Sequence, residues 1–143
     1  MESHISDITR VIQLAVAPVF LLTAIATLIT ALNNRLGRIV DRRRVVLNRL
    51  HDVVAGDDAS KNELHLLHRR IKLIYFAILS AVIAALMICL VVASAFLGAL
   101  LSVELARVVA VFFILAMLTL IACLVFFLRE VFLAVKGAAH QSR

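Results

Sequence analysis

The chain has little of what catalytic and ligand-binding motifs are made from. Only two of its 143 residues are cysteines, Cys89 and Cys123. Both lie inside apolar blocks without disulfide or metal-ligand spacing, so they read as small buried hydrophobes. Four glycines are present and form no loop that would cradle a phosphate. No Ser/His/Asp order and no carboxylate pair within an apolar block can be found. Charged residues make up 17% of the chain, and none falls inside a predicted span. That argues against proton- or sodium-coupled carriers and against intramembrane proteases, which place ionisable groups at mid-membrane depth. No enzymatic activity and no cofactor is expected. The single proline, Pro18, falls inside the first apolar block and predicts a kink there.

What the chain has in abundance is hydrocarbon. Hydrophobic residues account for 64% and the mean hydropathy is +1.06, where an ordinary soluble domain is nearer half apolar. Apolar runs over about 11–32, 73–98 and 108–128 are each long enough to cross a bilayer as a helix. The polar residues that open the chain lack a basic n-region, so the first span is expected to be retained despite Ala15-Val16-Ala17. The third span, with Phe112, Phe113, Phe126 and Phe127, reads as the most lipid-like.

Charge is distributed unevenly. The formal net charge is +6, and ten of the fifteen Lys and Arg fall within residues 33–72. Basic residues flanking apolar spans report membrane topology and anionic headgroups rather than nucleic acid, for which no fold signature is present. The positive-inside rule puts residues 33–72 in the cytoplasm, the N-terminus outside and the C-terminus inside. Leu36, Ile39, Arg43, Val46, Leu50 and Val53 recur at three- and four-residue steps, as do Leu64, Leu67, Ile71 and Ile74. Ala55-Gly56-Asp57-Asp58 is a turn signal, and Ser60 to Glu63 fits a capping box. The expected fold is therefore all-α and integral to the membrane. It has three transmembrane helices, the first two extended into a cytoplasmic antiparallel helical hairpin over about 35–72. Residues 99–106 read as a tight turn in which Ser102 caps the third helix and Glu104 opens its first turn, and the chain from Gly137 on reads as frayed.

The first span carries the clearest functional hint. At 100° per residue, Thr9, Gln13, Thr23, Thr27, Thr30 and Asn34 fall within about 60° of Thr27. Val16 and Phe20 share that face, and Arg38 and Asp41 continue it. Lipid gives a helix no reason to align its polar groups, whereas an oligomer axis or a water-filled path does. One reading is a ring of four to seven copies in which Gln13, Phe20, Thr23, Thr27, Thr30, Asn34 and Arg38 line a path for small inorganic ions, with cations slightly favoured. The other is that the hydroxyls bond back to their own helix or join one helix to another. The protein would then be a non-conducting scaffold or regulatory subunit whose hairpin binds a partner. His51, His65 and His68 gather near the hairpin tip and are weak candidates for metal ligands, without a recognised spacing; a solvated helix face is the simpler account of them.

The tract Asn33-Asn34-Arg35-Leu36-Gly37-Arg38-Ile39-Val40-Asp41-Arg42-Arg43-Arg44 closes the first span. Together with the charged hairpin and the two apolar spans that follow, it resembles a family of small bacterial inner-membrane proteins known only as a domain of unknown function. The resemblance covers nearly the whole chain. It implies a three-span protein of the bacterial inner membrane and brings no catalytic residues with it.

Overall fold

The computed structural model describes residues 2–52, 58–102 and 104–141. They form three helices and, among the described residues, no strand: α1 (Glu2–Asp52), α2 (Asp58–Leu101) and α3 (Ala106–Gln141). Each contains a stretch long and apolar enough to cross a membrane, and each is longer than a span requires. α1 is continuous through Pro18.

The chain packs as two compact units, Met1–Ile29 with Ser80–Ile121, and Thr30–Leu79 with Ala122–Arg143. In the first unit the buried residues are Ile25 of α1, Ala81, Ala84, Ile88 and Val91 of α2, and Ala116 of α3. In the second they are Leu32, Ile39 and Val46 of α1, Leu67, Ile74 and Ala77 of α2, and Cys123 and Glu130 of α3. Most of the buried positions recur at sevens: 25, 32, 39, 46 on α1; 67, 74, 81, 88 and 77, 84, 91 on α2; 116, 123, 130 on α3. A seven-residue repeat keeps one seam of a helix facing its neighbours, as in coiled coils. The fully buried Ala77, Ala81 and Ala84 let backbones approach closely.

In the second unit, α1 and α2 run antiparallel in a defined register. Arg35 and Arg70 meet at one carboxylate, and Arg42 pairs with Glu63. Seven residues forward along α1 correspond to seven back along α2. Of the hairpin periodicity, Ile39, Val46, Leu67 and Ile74 are buried, Leu36, Leu64 and Ile71 are half-buried, and Arg43 is exposed. The side chains of Leu50 and Val53 and the turn at 55–57 lie outside the described residues.

Three local expectations need correction. The antiparallel extension of α1 and α2 is not a two-helix hairpin alone, because α3 continues helical to Gln141 and packs into the same unit: a Cβ on Gly137 would sit 3.1 Å from Leu66 Cδ2. Ser60 to Glu63 form no capping box. α2 already begins at Asp58, and Glu63 reaches Arg42 of α1 instead of its own helix start. Ser102 does not cap α3. It follows the last residue of α2 with φ of 52°, while the carbonyl of Leu105 accepts from Val109 N at 3.0 Å, which makes Leu105 the N-cap and leaves Glu104 ahead of the helix. α3 is the most apolar of the three helices, and its Phe126 and Phe127 are half-buried. Phe126 lies 6.0 Å from the Phe76 ring, and Phe127 lies beneath the guanidinium of Arg35.

Candidate functional site

The second unit is centred on one carboxylate. Glu130 belongs to the buried seam of α3 and its side chain has no exposure at all. Both its oxygens are occupied by arginine. Arg35 Nη1 of α1 donates to Oε2 at 2.6 Å, and Arg70 of α2 donates to Oε1 through Nη2 at 2.8 Å and Nε at 3.2 Å. The guanidinium carbon of Arg35 also lies 5.1 Å from the Phe127 ring centroid, a cation–π distance. One side chain from each helix thus meets at a single point.

Burying a lone carboxylate in an apolar seam is prohibitively costly, and two guanidinium groups with charge-assisted hydrogen bonds offset that cost. The two arginines keep an outlet to solvent, at 34% and 20% side-chain exposure. Two positive charges and one negative leave the cluster with one net positive charge. The carboxylate has no oxygen free for a substrate or metal, so the arrangement suits a tie between helices rather than acid–base chemistry. Arg42 and Glu63 form a second link at 2.8 Å in a more exposed setting. Among the described residues, no buried side-chain nitrogen or oxygen lacks a hydrogen-bond partner.

Sequence reasoning passed over Glu130, because it sits just past the third apolar run and reads as part of a cytoplasmic tail. A signal was available. Ala116, Cys123, Glu130 and Gly137 follow one another at sevens, which puts the carboxylate in line with the seam.

The polar stripe lies on the opposite side of α1 from its buried seam. Thr23 and Thr27 flank Ile25 by two residues on either side, and Thr30 and Asn34 flank Leu32 in the same way. A step of two residues is 200° round a helix. Gln13, Phe20, Thr23, Thr27, Thr30, Asn34 and Arg38 are all exposed, Phe20 at 72%. The hydroxyl of Thr23 donates to Val19 O at 3.2 Å and that of Thr27 to Thr23 O at 3.0 Å. Each therefore spends its proton in its own helix and turns oxygen lone pairs outward. Thr119 and Ser94 bond back to their helices in the same manner.

His65 and His68 are exposed on α2, the side chain of His51 lies outside the described residues, and among the described residues no three His, Cys, Asp or Glu gather as metal ligands.

Three apolar, membrane-length helices and an arginine–carboxylate cluster joining all three define an all-helical, multi-pass membrane protein. The family model described as "Protein of unknown function (DUF2721)" matches residues 15–139, and the chain belongs to that family. Comparisons with curated proteins and with solved structures gave no match.

Proposed function

We propose that the protein is a homo-oligomer of the bacterial inner membrane in which the polar face of α1 lines an axis that passes small ions. The observation that carries this reading is the exposed stripe of Thr23, Thr27, Thr30 and Asn34, set opposite the buried seam of the same helix. A subunit this small has little interior in which to hide such a stripe, and a symmetric axis buries it. Hydroxyls whose protons are already committed offer only acceptor oxygens, which favours cations over anions. The clamp on Arg35 holds α1 in one rotation, and so keeps the neighbouring Asn34 turned outward. In this arrangement the basic segment around Arg38 to Arg49 lies on the cytoplasmic side with the C-terminus, against anionic headgroups, and no catalytic step is involved.

A non-conducting scaffold is favoured by a different observation. Arg43, Arg44, Arg49, Arg69 and Arg129 are exposed in the second unit and offer positive charge to an acidic partner. Native mass spectrometry of the purified protein separates the two readings. A single species of four to seven copies, with ion flux in vesicles that Thr27→Leu abolishes or alters while the assembly persists, supports the conducting path. A monomer or dimer encloses no axis and leaves the scaffold.

A further inference from the structure

The first unit contains an apolar slot of about 660 Å³, walled by all three helices and unrelated to the polar stripe. Its wall on α2 runs from Val91 to Ala99, and on α3 from Ala106 to Phe113. At 1.5 Å per residue the longer wall spans about 12 Å. That is close to the depth of one leaflet, about half of the roughly 30 Å hydrocarbon layer. Small side chains open the slot: Ala95 and Ala99 on one wall, Ala110 on another. Ser94 does not make it polar, because its hydroxyl is spent on Leu90 O at 2.7 Å and Val91 O at 3.0 Å. The one charge among the described lining residues is Glu104, exposed at the α2–α3 connection where the apolar spans end.

We propose that this slot holds one acyl chain of a phospholipid whose headgroup ammonium pairs with Glu104. Four features of the slot select this ligand. It is built into membrane-spanning helices, so the surrounding medium is acyl chain. Its walls are too apolar to hold water, and its volume is within the range of ligand pockets. Its length fits a chain from a single leaflet. A carboxylate at the polar end favours an amine-bearing zwitterionic headgroup such as ethanolamine and disfavours a purely anionic one.

The test is native mass spectrometry of the full chain, stripped in detergent and titrated with phosphatidylethanolamine or phosphatidylglycerol. The expected result is one phosphatidylethanolamine held per chain. Ala95→Phe and Ala110→Phe, which fill the slot from different walls, should each weaken retention at least about tenfold. Leu118→Phe, at an exposed position outside the slot, should not. Glu104→Gln should lower the preference for phosphatidylethanolamine over phosphatidylglycerol by about two- to fivefold while the chain still binds. A wild-type chain that retains no lipid, retention by both filled variants equal to that of the wild type, or a second protein chain in place of the lipid would each overturn the proposal.

Discussion

Arg35 and Glu130 are 95 residues apart in sequence and 2.6 Å apart in space. The pair draws α1 against α3, and Arg70 brings α2 to the other oxygen of the same carboxylate. One buried side chain of α3 thus joins all three helices. The clamp therefore makes the most direct predictions.

Glu130→Ala should destabilise the protein by about 3–5 kcal/mol, because it leaves two guanidinium groups facing each other without a counter-charge. Thermal unfolding followed by helical circular dichroism in detergent measures the loss. Replacing the whole cluster, with Glu130→Leu, Arg35→Met and Arg70→Met together, should recover most of it, since an apolar seam needs no ion pair. A triple variant as unstable as Glu130→Ala would mean that the charges do more than neutralise one another.

Breaking the Arg42–Glu63 pair should matter far less. At 44% and 26% side-chain exposure the two groups remain hydrated when separated. Arg42→Ala or Glu63→Ala should change stability by less than about 1 kcal/mol in the same unfolding assay, and added salt should shrink the difference further.

Two of the helical glycines, Gly37 and Gly137, differ in their surroundings. A Cβ on Gly37 meets nothing within 4 Å, so Gly37→Ala should stabilise by about 0.5–1 kcal/mol through helix propensity and a less flexible unfolded chain. A Cβ on Gly137 meets Leu66 Cδ2 at 3.1 Å, and Gly137→Ala should gain less until Leu66→Ala makes room. Unfolding midpoints of the two single variants and of the Gly137→Ala, Leu66→Ala pair test this ranking.

Ser102 holds a left-handed backbone at φ 52°, which costs an L-residue about 1–2 kcal/mol and glycine almost nothing. Ser102→Gly should stabilise by up to about 1 kcal/mol, and Ser102→Val should destabilise. A higher midpoint for Ser102→Val would show that the backbone there adopts another conformation.

Much of the architecture was legible along the chain. The three apolar runs are long enough that hydrocarbon is their natural medium, and the period of Ile39, Val46, Leu67 and Ile74 marks which face each helix buries. That the polar residues of the first helix share one face followed from angular position alone; its exposure came from the structure, where residues two places from Ile25 or Leu32 point away from the seam. Local capping was harder to read. Ser60 and Ser102 have the right chemistry for helix starts. Yet Ser60 lies within a helix that opens at Asp58, and Ser102 closes a helix that extends to Leu101.

The candidate sites divide the same way. Composition and periodicity determined that this is a multi-pass helical membrane protein with a polar face on its first span, because both properties are set by residues near one another on a single helix. Only the tertiary structure decided where Glu130 goes. Its partners are 60 and 95 residues away, and the same acidic side chain would be a solvated tail residue if α3 ended where its apolar run ends. Helix register made it the centre of a three-helix clamp, and only packing opened the slot between Ala95 and Ala110, since the space between helices depends on side chains that are distant in sequence.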